Sequence, residues 1–219
     1  LVEAGNTVVL IDTSPDLRQQ LLNTGIRRLD SVLYTHSHAD HLHGIDDLRG
    51  INRAMNAEIP IYADADTLKA IIQRFGYTVT PLVPSSKFYY KPVLKPYEVA
   101  PGDKFSVGDI EFLAIDQDHG HSRTLGYRFG PMALTTDLMC LPEESFAALA
   151  GIEIWIIGVF SFKPHPTHVH IDLALEWIKR VKPRRAILTH LGPTIDYAES
   201  IEYLPEGVEP AYDGMEIEI

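Results

Sequence analysis

Hydrophobic and polar positions along the chain switch between two periods. Residues 7–11 (Thr-Val-Val-Leu-Ile) form a β-branched run closed by Asp12-Thr13-Ser14-Pro15-Asp16, which reads as a buried strand and then a helix start, with proline near the first helical position. Leu17, Leu21 and Leu22 supply an apolar helix face that Gly25 stops. Strands are expected at 31–35 and 59–62, with a helical turn or two at 44–49. Asp64 can cap a helix over 65–75 whose Leu68, Ile71, Ile72 and Phe75 share one side, ending at Gly76. Residues 77–103 are rich in proline and tyrosine. They predict an irregular insertion with a strand or two, serving as a rim or lid over a site or as a surface connection with an aromatic anchor. Strand texture follows at 104–107, 110–116, 124–129 and 132–136, with Gly108-Asp109 as a hairpin signal. A helix at 142–150 precedes a nearly continuous apolar strand at 152–158, expected at a sheet centre covered on both faces. An amphipathic helix at 172–181, a strand at 185–189 ending in His190, a helix at 195–203 and an alternating strand at 215–219 complete the pattern. Strands and helices alternate in both halves, so the expected fold is α/β (α+β), one domain over residues 1–219, with helices packed outside sheets.

With 45% hydrophobic and 22% charged residues, the composition is that of a globular chain and excludes disorder. The formal net charge of -11 argues against long nucleic acid and anionic membrane as partners, because both depend on a basic field. It does not argue against a small anionic substrate, since bound cations reverse the local sign in a cleft. The single cysteine, Cys140, permits no internal disulfide and fits a cytoplasmic location. No apolar run reaches spanning length: 152–162 is broken by Glu153 and Gly158. No signal peptide is visible, and Leu1-Val2-Glu3 reads as the tail of a strand with residues missing before it. The oligomeric state is left open, a homodimer included.

The candidate chemistry lies in Thr35-His36-Ser37-His38-Ala39-Asp40-His41-Leu42-His43-Gly44, where three imidazoles and a carboxylate fall within residues 36–41. In extended chain, residues two apart point the same way, so His36 and His38 can reach one metal ion, and Asp40 and His41 can turn toward a second. The ten histidines fall at 36–43, 119–121, 165–170 and 190, mostly after predicted strands, as a site at one sheet edge requires. The expected assignment puts His36, His38 and His119 on the first metal and Asp40, His41 and His190 on the second. Asp137 is shared, because a carboxylate can bridge two cations and an imidazole cannot. His119 is preferred to His121 because Gly120 allows a tight turn there. Such donors suit zinc, iron or manganese; the expected cofactors are two divalent ions, Mn2+ or Zn2+.

Residues 35–44 match Thr-His-x-His-x-Asp-His-x-x-Gly at each fixed position, and on that ground the chain resembles the metallo-β-lactamase fold superfamily. The resemblance implies a four-layer αββα sandwich with metals at one edge, and implies that Asp12 orients a ligand histidine; the competing reading of Asp12 is a plain turn-opening aspartate. Three further runs, His43-Gly44-Ile45-Asp46-Asp47-Leu48-Arg49, Leu125-Gly126-Tyr127-Arg128 and His165-Pro166-Thr167-His168, resemble the cyclic phosphodiesterases of phosphonate breakdown, relatives of the tRNA 3′-processing nucleases. That branch can carry an N-terminal cysteine cluster, which this sequence lacks. What it implies is a dinuclear phosphodiesterase acting on a small cyclic phosphate or nucleotide-like diester. Hydroxide held by the metals would attack phosphorus and His168, with His165 as the alternative, would protonate the leaving oxygen; Asp40 is counted with the catalytic set. Competing readings are a glyoxalase II-type thioester hydrolase, a β-lactamase (disfavoured because Asp137 takes the bridging place and Cys140 lies three residues away), and a non-catalytic metal-binding protein.

Overall fold

The computed structural model describes residues 1–219 as two compact units, Leu1–Glu111 and Phe112–Ile219. In the first, strands β1 (Val2–Ala4), β2 (Thr7–Ile11), β3 (Ser31–Leu33), β4 (Ile59–Ala63) and β5 (Leu94–Glu98) form a sheet in sequential order. β1 is antiparallel to β2, while β2 to β5 run parallel, with Val9 opposite Ser31, Val32 opposite Ile61 and Ile61 opposite Pro96. Parallel neighbours need crossovers. Helix α1 (Leu17–Thr24) joins β2 to β3; α2 (Ala39–Leu42) and α3 (Leu48–Met55) join β3 to β4; α4 (Ala65–Phe75) joins β4 to β5. Leu17, Leu42, Leu48, Ile51 and Ile71 from these helices pack on Val32, Tyr34, Ile59, Ile61 and Leu94. Each such aliphatic side chain, fully buried, contributes roughly 1.5–3 kcal/mol against exposure.

Two expected core positions are on the surface. Leu22 is 67% and Ile72 55% exposed. Both directly follow a residue that packs on the core, Leu21 and Ile71, and one residue is about 100° around a helix, so the face is narrower than the leucine and isoleucine pairs suggest. The insertion holds one regular strand, β5, after a 3-10 turn at Gly76–Val79. It is tied to α3: Asn52 Nδ2 donates to Val93 O (3.0 Å), its Oδ1 accepts from Val93 N, and Arg53 Nε donates to Tyr89 O (2.6 Å).

The second sheet adds β6 (Lys104–Val107), β7 (Ile110–Asp118), β8 (Arg123–Phe129), β9 (Met132–Thr135), β10 (Ile154–Gly158), β11 (Arg185–Thr189) and β12 (Val208–Pro210), in the order β12-β11-β10-β9-β8-β7-β6. β7, β8 and β9 are antiparallel neighbours, and β9 to β12 are parallel. The apolar run at 154–158 is an interior strand, as its composition requires. Trp155 is fully buried there, its Nε1 donating to Thr135 Oγ1 at 2.9 Å. Phe146 and Leu149 from the end of helix α5 (Glu143–Ala148), and Ile171, Ala174 and Trp177 from α6 (Ile171–Val181), cover it. Helix α7 (Tyr197–Tyr203) precedes β12. The alternating tail 215–219 is not a strand. Val208–Pro210 pairs with β11 instead, and a turn at Tyr212–Met215, with Gly214 at φ 85°, carries the tail away. Alternation alone does not make a strand where the neighbouring edge is already taken.

Candidate metal centre

The histidine motif begins two residues after β3. His36 and Thr35 are buried. His38 has extended backbone (φ -66°, ψ 157°) and stands immediately before α2, the single helical turn that carries Asp40 and His41. Strand 31–35 is thus shorter than expected, and the turn begins inside the motif. The turn is stitched to the end of β2: Thr13 N donates to His41 O (2.7 Å), Gly44 N to Thr13 O (3.0 Å) and Thr13 Oγ1 to Leu42 O (3.0 Å). A Cβ on Gly44 would overlap Ser14 O and lie 2.8 Å from Leu17 Cβ, so only glycine allows this approach. Tyr34, beneath the motif, is fully buried, and that burial pushes its hydroxyl pKa upward.

Asp12 organises these donors. Its Oδ1 accepts from Thr35 N (2.8 Å), and its Oδ2 accepts from Thr35 Oγ1 (2.8 Å) and His41 Nδ1 (2.7 Å). Thr35 spends its hydroxyl hydrogen on Asp12, so at 3.0 Å from His36 Nδ1 its oxygen accepts. Of the two sequence readings of Asp12, orientation of a histidine is the one whose geometry is present, and it reaches two histidines.

In the second unit His119 follows β7, Asp137 follows β9 and His190 follows β11. His119 and Asp137 are each 3% exposed. His119 Nδ1 donates to Thr167 O at 2.6 Å, and its Nε2 lies 3.8 Å from Asp137 Oδ2. His190 Nε2 is 3.1 Å from Asp137 Oδ1 and His168 Nε2 is 3.4 Å from Asp137 Oδ2. Gly120 turns with φ 82°, and His121 is exposed. Asp12 (φ 62°), Asp137 (φ 51°) and His190 (φ 55°) share left-handed backbone at strand ends, a conformation that costs energy and concentrates at functional sites.

Two sets of side chains could hold a metal ion: His36, His38, His119 and Asp137, and Asp40, His41, Asp137 and His190. The imidazoles suit a cation. Carboxylate and carbonyl acceptors place a proton on Nδ1 of His41 and His119, as Thr35 does for His36, which leaves each Nε2 with its lone pair for a metal. His43 packs on Phe75 at 5.4 Å, and His170 is the residue preceding α6; neither is in a donor set.

A profile of the beta-lactamase superfamily domain matches residues 7–191. The chain belongs to this superfamily. Among solved structures, a diphosphatase of the PhnP family is 30% identical, with a TM-score of 0.89 over 99% of this chain and 82% of that one. An octanoyltransferase of Porphyromonas gingivalis is 35% identical over 218 residues, which is 99% of this chain and 43% of the relative. A ribonuclease Z of Methanopyrus kandleri is 27% identical over 130 residues, 58% of this chain and 42% of the relative. The matched residues therefore cover less than half the length of each of these two proteins. In this superfamily member the expected α/β class holds, with mixed sheets and helices.

Sequence reasoning missed several contacts of the beta-lactamase superfamily site. The Thr167 carbonyl held by His119 is a backbone group and leaves no sequence signal. Phe160 stacks on His168 at 4.7 Å, and His168 stacks on His190 at 5.5 Å. Thr167 Oγ1 lies 2.8 Å from His168 Nδ1, and His165 Nδ1 lies 3.3 Å from the same atom. The proximity of His165 to His168, three residues on, was the one visible hint.

Proposed function

We propose that this chain is a dinuclear metal-dependent phosphodiesterase acting on a small cyclic phosphate or nucleotide-like diester. His36, His38 and His119 would hold one divalent cation and Asp40, His41 and His190 the other, with Asp137 available to both. When bound, the Zn2+ or Mn2+ pair supplies Lewis acidity and a water whose pKa falls to about 7. Asp12 and Thr35 keep the imidazoles of His36 and His41 in the tautomer that binds cations. His168 gives a proton from Nε2 to the leaving alkoxide. The observation that carries this reading is the place of His168. Its Nε2 is 3.4 Å from Asp137 Oδ2, its ring is fixed by Phe160 and Thr167, yet it belongs to neither donor set. An imidazole beside the shared carboxylate but outside the ligand set is suited to proton transfer. The likeness to the PhnP-family diphosphatase supports phosphorus chemistry, and the net charge of -11 favours a compact diester over a long nucleic acid.

The test is His168→Ala. Metal content should stay at the wild-type level by elemental analysis. Hydrolysis of diesters with alkyl leaving groups should slow roughly 10²–10⁴-fold, and that of 4-nitrophenyl diesters, whose leaving group needs no proton, far less. Equal slowing of both removes His168 from the acid role. A second reading, hydrolysis of an acyl thioester by the same metals, takes up the octanoyl group in the name of one relative, of which the match covers 43%. Turnover of octanoyl thioesters with none of cyclic phosphates would select it.

A further inference from the structure

The proposed chemistry leaves one buried amide unused. Gln117, on β7, is fully buried. Its Nε2 donates to Thr136 O (2.9 Å) and to Thr124 Oγ1 (2.9 Å), and Thr124 Oγ1 donates onward to Asp137 O (2.9 Å). The two carbonyls so held belong to the peptide groups on either side of the Asp137 Cα. Rotation about that carbon sets the left-handed φ of 51° and thereby the direction of the carboxylate.

The surroundings are cut to fit this arrangement. A Cβ on Gly126 would stand 2.7 Å from Gln117 Oε1 and 2.9 Å from Leu134 O; one on Gly158 would stand 3.0 Å from Thr136 Cα and 3.2 Å from Asp137 N. Gln117 Oε1 itself is buried without a hydrogen-bond partner. A leucine or methionine would fill the same space without that penalty. The amide is there for its two N–H groups, and both lead to the backbone of Asp137.

We propose that Gln117 and Thr124 are positioning residues that clamp both peptide groups of Asp137 and so aim its carboxylate at the metals. This rests on the reading of Asp137 as the shared ligand. The test measures Zn2+ affinity of the full chain by competition with a chromophoric chelator, beside the Tm of the metal-free protein. Thr124→Val and Gln117→Met should weaken Zn2+ binding roughly 10-fold or more, and Thr124→Ser, which keeps the hydroxyl, should keep the wild-type affinity. A lower metal-free Tm with unchanged affinity in both variants would make the clamp a matter of folding alone and overturn the proposal. Should Thr124→Val not fold, Gln117→Met decides on the same scale. Asp137→Asn separates the two levels. If it leaves Zn2+ affinity unchanged, the shared-ligand reading fails and the proposal with it. If it weakens binding while Thr124→Val and Gln117→Met do not, the proposal alone fails.

Discussion

Asp12 accepts from a backbone amide, a hydroxyl and an imidazole through its two oxygens. An asparagine in its place has one accepting oxygen and would turn an N–H₂ toward one of these donors. Asp12→Asn should therefore lower metal affinity about 10- to 100-fold, measured by chelator competition, with far-UV circular dichroism unchanged. Wild-type affinity in that variant would show that the carboxylate orients nothing. This role was only half legible in the sequence. A turn-forming aspartate after a strand looks the same whether or not it reaches a histidine 29 residues later.

At the scale of elements, the placement of the motif depends on how closely α2 approaches the end of β2. Gly44 marks that approach and has φ -81°, so alanine meets no backbone objection and only a steric one. Gly44→Ala should cost about 1–3 kcal/mol, the range for overpacking, read as a lower urea midpoint at unchanged slope. It should also loosen metal binding, because Thr13 and His41 are joined across the same contact. No change in the urea midpoint would mean that the loop yields freely. The strands were legible where β-branched runs meet polar turns, as at 7–11 and 185–189. The tail 215–219 was not, because a strand is completed by its neighbour, and Val208–Pro210 holds the place beside β11.

For the whole molecule, metal bound as proposed would be part of the folding free energy. A metal held at about 100 times its Kd adds roughly 2.7 kcal/mol, which for a chain of this size is on the order of 5–11 °C in Tm. Chelation should lower the Tm by that amount and added Zn2+ or Mn2+ should restore it; an indifferent melting curve would argue against resident metal. The candidate donors stand out in the sequence because seven imidazole and carboxylate groups in this pattern have few other uses. Their supports do not, since Thr167 acts through its carbonyl and Gln117 and Thr124 through hydrogen bonds to main-chain carbonyls, for which side-chain identity is a weak guide.

The left-handed turns at Asp12, Asp137 and His190 set stability against chemistry. Each keeps a side chain where the backbone alone would prefer glycine. A directed-evolution campaign that rewards heat tolerance alone, run with the metal stripped away, would accordingly accumulate glycine wherever the strain outweighs the side chain's own contacts. Its most robust products would be those that had dismantled the cation cradle, so such a campaign has to be run with metal present throughout.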